Sequence, residues 1–76
     1  MRKKFKWGII GTGGIANAFA NDLKYLKNHV VESVLSRDAN TAKSFAMKYG
    51  DCKPYDKSKL FFNDSRIDAI YVATPN

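Results

Sequence analysis

The chain is predicted to fold as an α/β domain: a parallel sheet of four strands in the order 3-2-1-4, with helices over its faces. Three observations lead there. Short apolar, β-branched runs alternate with segments whose apolar residues recur at helical spacing, giving β-α-β-α-β-α-β with no internal repeat and no linker. A glycine cluster, Gly11-Thr12-Gly13-Gly14, separates the first strand run from the first helical one. The last run ends at a proline. Strands joined by helices in this way pair in parallel through right-handed crossovers.

Each element has its own justification. Phe5–Gly11 (FKWGIIG) is a short apolar run ended by glycine, as a buried strand would be. Ile15, Phe19, Leu23 and Leu26 then fall on one helical stripe beside Ala16 and Ala20, with Asn17, Asn21, Asp22, Lys24 and Lys27 on the other face. The spacing predicts a helix from Gly14 to Lys27, ending near Asn28-His29. Val30–Ser36 is β-branched and forms a second strand. Asp38 stands where an N-cap belongs, and Ala42, Phe45, Ala46 and Tyr49 make the stripe of a second helix that stops at Gly50. Cys52–Asp56 supplies a short third strand, marked as an edge by Pro54. Lys57–Asp64 reads as a short helix held by Leu60 and Phe61, and Ile67–Asn76 as a strong final strand that Pro75 terminates. Tyr71 lies inside that strand, where its ring is expected to pack in the core.

Composition excludes several classes. At 76 residues the chain is one domain, and 45% hydrophobic with 26% charged residues is a globular balance. No apolar run is long enough to span a bilayer. The basic start MRKKFK is followed by too brief an apolar stretch for a secretory leader. A lone Cys52 cannot form an internal disulfide, and one thiol with one histidine is too few for a structural zinc site. The expectation is a cytoplasmic protein with no metal, and with Cys52 inert. The net charge of +6 is spread over scattered lysines rather than gathered with aromatic residues. It reads as a solvated surface with neither nucleic acid nor membrane as partner, although such a field attracts a multiply phosphorylated cofactor. Nucleic-acid binding stays as a minor alternative, which would show steeply salt-dependent affinity.

Gly11 to Ala16 spell G-x-G-x-x-A with an extra glycine in fourth place. Following a strand and opening a helix inside a βαβ unit, this pattern predicts a dinucleotide site of Rossmann type. Gly11 permits the sharp turn, Gly13 lets backbone approach a pyrophosphate, and Ala16 lets helix and strand sit close. Thr12 completes the turn, and the amides at the helix N-terminus then face the phosphates. A purely structural turn and an S-adenosylmethionine site are the alternatives, whereas a Walker-type loop lacks its Gly-Lys-Ser/Thr. At the end of the second strand, where an NAD site usually places an acid, stand Ser36 and Arg37. A hydroxyl and a guanidinium suit a 2′-phosphate, so NADP is favoured over NAD. The competing reading leaves Arg37 as a solvated loop residue and Asp38 as a helix cap only.

Together, GIIGTGGIA, SRD with AKSFAMKYG, and DAIYVATPN resemble the N-terminal domain of the Gfo/Idh/MocA oxidoreductases, the glucose–fructose oxidoreductase and inositol dehydrogenase-like enzymes. The resemblance runs from Lys6 to Asn76. It implies hydride transfer between NADP or NAD and a hydroxyl carbon of a sugar, polyol or cyclic diol. It also implies that Ala73, Thr74, Pro75 and Asn76 line the cofactor cleft toward the nicotinamide, with Gly14 and Ile15 beside the pyrophosphate at the start of the helix and Ser36 and Arg37 at the adenosine end. Such enzymes carry a Glu-Lys-Pro motif after the fourth strand, a catalytic histidine or aspartate in a second α/β domain, and homo-oligomer contacts through that domain. Residues 1–76 contain none of these. They are therefore expected to form the N-terminal part of a dinucleotide-binding domain, inactive alone, with no catalytic residue of its own. His29, at the far end of the first helix, is expected to be a surface loop residue. A non-catalytic dinucleotide-binding or scaffold module is the alternative function.

Overall fold

The computed structural model describes residues 4–74. Its elements are β1 (Phe5–Ile10), α1 (Gly14–Leu23), β2 (His29–Leu35), α2 (Ala39–Lys48), β3 (Lys53–Tyr55), α3 (Ser58–Phe62) and β4 (Ala69–Val72). The sheet order is β3-β2-β1-β4 and every pair is parallel. The predicted Rossmann-type sheet is thus the one observed, with Pro54 on an edge strand, where its missing N–H costs no ladder bond.

Two separate cores cover the sheet. On one face Ile9, Val31 and Val34 pack with Ala16, Ala20 and Leu23 of α1 and with Ala42, Phe45 and Ala46 of α2. On the other face lies Phe61 of α3, fully buried. There a Cβ on Gly8 would come within 2.9 Å of both the Phe61 ring and Ile67 Cδ1, so the glycine lets α3 approach the sheet. A bulge links the two faces. Trp7 pairs with Val31 but Gly8 with Ser33, leaving Glu32 as the extra residue. That shift puts Val31 and Val34 on the same face and frees Glu32 to meet Arg66 at 3.3 Å.

Four expectations are corrected by tertiary context. α1 stops at Leu23, because the N–H groups of Lys24, Tyr25 and Leu26 turn to carbonyls three residues back, and Asn28 reverses the chain at φ 67°. Its buried stripe is Ala16, Ala20 and Leu23, whereas Ile15 is 60% and Leu26 52% exposed. Small residues face the sheet because the glycine turn brings the helix close. In α3 only Phe61 anchors the helix, and Leu60 is 58% exposed. Among the described residues β4 pairs over four, Ala69–Val72, against Trp7–Ile10 of β1. Finally, His29 is not a loop residue: it opens β2 opposite Phe5, half-buried, and its Nδ1 accepts from Trp7 Nε1 at 3.0 Å. The expected cap of α2 is present, with Asp38 Oδ1 accepting from the Asn40 N–H at 2.8 Å. Gly50 ends the helix region with φ 77°.

Candidate functional site

The C-terminal ends of β1, β2 and β4 meet at Gly11. Its N–H donates to the Leu35 carbonyl, and the Ala73 N–H donates to the Ile10 carbonyl, both at 2.9 Å. The φ of Gly11 is 110°, and a Cβ there would lie 3.1 Å from the carbonyl oxygen of buried Ala73. Glycine alone combines that left-handed turn with that approach. Gly13 is different. It is the N-cap of α1 in extended conformation, and a Cβ on it or on Gly14 would meet nothing within 4 Å. The protein's own atoms do not demand glycine at either position. What the bare backbone leaves is open access to the amides of the first helical turn, including that of exposed Ile15.

The turn is braced from behind. Asn17 Nδ2 donates to the carbonyls of Thr12 at 3.2 Å and Gly13 at 3.0 Å. Asn17 Oδ1 in turn accepts from the Tyr49 hydroxyl of α2 at 2.7 Å. These bonds hold the carbonyls of Thr12 and Gly13 on the side of Asn17. Sequence reasoning placed Asn17 on a solvent face and Tyr49 on an apolar stripe. Neither assignment reveals a brace that joins two helices.

A cleft of about 730 Å³ opens at this end of the sheet. Ile10, Gly11 and Thr12 line it from β1 and its turn. Leu35, Ser36, Arg37 and Asp38 line it from the end of β2, and Thr74 from the end of β4. Two further residues, Asp56 and Ser58, close it from the β3–α3 connection. The structure therefore brings Gly11, Thr12, Ser36, Arg37 and Thr74 together, with Gly13, Gly14 and Ile15 following directly from Thr12 and Ala73 beneath Gly11. Pro75 and Asn76 lie outside the described residues. Asp56 and Ser58 were not singled out from sequence. A positional signal was present, since Asp56 follows the end of β3 as Ser36 follows the end of β2, and strand C-termini are where such ligands bind.

Hydrogen bonding sorts the polar groups of the cleft. The Thr41 hydroxyl donates to the Asp38 carbonyl at 2.9 Å, so the 2.6 Å contact between Ser36 and Thr41 must use the serine's proton. Ser36 also accepts from the Asp38 N–H at 3.3 Å. Its expected donation to a phosphate thus competes with Thr41, and its first task is to shape the loop. Arg37 is exposed, and among the described residues every ion pair belongs to Arg66. Its guanidinium is available to an anion. Cys52, by contrast, is buried just before β3, and its thiol is pushed up to about 12 by burial and by the charge of Glu32, which leaves it inert.

The family model of GFO_IDH_MocA, an oxidoreductase family with an NAD-binding Rossmann fold, matches residues 5–76. The chain belongs to this family. The trans-1,2-dihydrobenzene-1,2-diol dehydrogenase of Mus musculus is 37% identical over 71 residues, covering 91% of this chain and 21% of that protein. Among solved structures, a 3-ketoreductase from Actinomadura kijaniata in complex with NADP is 26% identical with a TM-score of 0.85, covering 96% of this chain and 23% of that one. The myo-inositol dehydrogenase of Lactobacillus casei, in complex with NAD(H) and myo-inositol, is 27% identical with a TM-score of 0.83, covering 93% and 22% respectively. This Gfo/Idh/MocA domain therefore spans about a fifth of the length of the curated relatives it matches. Among its described residues no helix is long and apolar enough to cross a membrane.

Proposed function

We propose that this Gfo/Idh/MocA chain is the dinucleotide-binding portion of an oxidoreductase. The whole enzyme would move a hydride between a nicotinamide cofactor, NADP in preference to NAD, and a hydroxyl carbon of a sugar, polyol or cyclic diol. One observation carries the reading: the cleft is lined at one side by Gly11 and Thr12, the turn that leads into the open helix N-terminus at Gly13-Gly14, and at the other by Arg37, which forms no ion pair among the described residues. The pyrophosphate is held by the amides of the first turn of α1, over glycines that no protein atom requires. Arg37 takes the 2′-phosphate, a charge-assisted contact that a cofactor lacking the phosphate forgoes. Ser36 and Thr41 hold the loop that presents it. Thr74 borders the end of the cleft that faces the nicotinamide. When bound, the nicotinamide ring supplies the hydride chemistry. The residues of this chain bind and orient it.

Relatives with either cofactor support the cofactor class, and the names of the diol, inositol and sugar enzymes support the substrate class. The preference for NADP rests on Arg37. Calorimetric titration with NADPH and NADH tests both points. Gly13→Val should abolish binding of each cofactor with the circular dichroism spectrum unchanged, because the new side chain enters ligand space and not protein. Retained binding would refute the phosphate cradle. Arg37→Ala should weaken NADPH about ten- to a hundredfold and NADH much less. Equal losses would remove the preference for NADP.

A further inference from the structure

We propose that Asp56 reads the base of the dinucleotide, accepting a hydrogen bond from the exocyclic 6-amino group of adenine. This assignment rests on the dinucleotide reading of the cleft and adds to it a selectivity for the base.

The order of the strands places the groups. Moving outward from β1, the sheet presents Gly11 at the end of β1, Ser36 and Arg37 at the end of β2, and Asp56 at the end of β3. The Ser36 N–H donates to the Tyr55 carbonyl at 3.0 Å and ties the last two ends together. Adjacent strands are about 4.8 Å apart. A ligand lying across these ends meets them in the sequence pyrophosphate, ribose, base. Ile10 and Leu35 give the cleft apolar side chains for a purine ring.

The charges narrow the choice of ligand. The Asp38 carboxylate accepts from the Asn40 N–H, and the proton of Ser36 goes to Thr41. Arg37 and Asp56 carry opposite charge and line the same cleft, yet they form no ion pair with each other. One ligand satisfies both only if it offers an anion to the first and a hydrogen-bond donor to the second. A phosphorylated adenosine has that pair of groups. An ionised carboxylate only accepts, so it favours the amino group of adenine and repels the carbonyl oxygen that hypoxanthine carries in its place.

Titration of NADPH and of its hypoxanthine analogue into this chain tests the assignment. The wild type should bind NADPH at least about tenfold more tightly than the analogue. Asp56→Ala should weaken NADPH and tighten the analogue, bringing the two within about twofold of each other. Opposite shifts for the two ligands are a result that loss of structure does not produce. Equal affinities in the wild type, or a preference that survives in Asp56→Ala, would overturn the role of Asp56 and leave the dinucleotide reading standing. Failure of NADPH and NADH alike to bind would overturn both.

Discussion

The two ends of the sheet are built on opposite plans. At the N-terminal end of the strands, large side chains interlock. Trp7 lies edge-on to Phe5 and Phe19 at centroid distances of 5.3 and 5.1 Å, and Phe19 stacks on Tyr71 at 3.9 Å. Lys6 and Asp68 exchange backbone and side-chain hydrogen bonds there, and just after α3 Asp64 adds a second clasp by holding both Arg66 and the Tyr55 hydroxyl. At the C-terminal end there is little side-chain bulk. The backbone turn at Gly11 and Thr12 borders a cleft whose charged groups do not pair with one another. The contrast teaches that this domain concentrates its cohesion at one end and leaves hydrogen-bonding capacity unfilled at the other. A ligand can complete the open end, and the closed end keeps the strands in register while it does so.

Substitutions can break the contrast from either side. The largest effect should come from Trp7→Ala, which removes two edge-on ring contacts and the donor to His29. A loss of about 3 kcal/mol is expected in urea unfolding. For a domain of this size that is a large share of its whole stability. A loss under about 1 kcal/mol would show that the aromatic end is not where cohesion lies.

Next comes Asp64→Asn, which is predicted to cost about 1–2 kcal/mol at neutral pH, discounted for the half-exposed arginine. The Arg66 guanidinium, with the Tyr55 hydroxyl, holds the Asp64 carboxyl well below the usual carboxylate range, against the opposing effect of burial. A depressed folded value means that the stabilisation is complete above the unfolded value, about 4, and drains away as the pH falls through the folded one. The wild type should therefore lose this contribution only in strong acid. The variant should lack it at pH 7 and show a flatter stability profile on acidification. Parallel profiles for the two proteins would contradict the assignment.

The smallest effect, and the one that sharpens the comparison, is expected from Tyr49→Phe. It deletes the bond to Asn17 Oδ1 and should cost about 0.5–1 kcal/mol of stability. Because Asn17 braces the glycine turn, NADPH affinity should also fall, by about two- to fivefold. Trp7→Ala, assayed where it remains folded, should leave that affinity nearly unchanged. Affinity lost in Trp7→Ala but kept in Tyr49→Phe would reverse the division between the two ends.

Much of this was legible in the chain before any coordinates. The alternation of elements, the parallel sheet order, the cap at Asp38, the edge position of Pro54 and the turn at Gly11 all follow from local chemistry. Periodicity, capping and permitted dihedrals are short-range properties, and a run of residues carries them wherever it sits. Which stripe of α1 faces inward is another matter. Ile15 and Leu26 looked like core, yet the close approach at the glycine turn selected Ala16 and Ala20. The partnership of Trp7 with His29, the bulge at Glu32, the Asn17–Tyr49 brace and the arrival of Asp56 in the cleft that Arg37 lines joined residues distant in sequence. The sequence by itself determined the order of elements and the chemistry of the turn. Only the tertiary structure decided which side chains share the cleft, because cross-strand register and the depth of helix packing depend on every element at once.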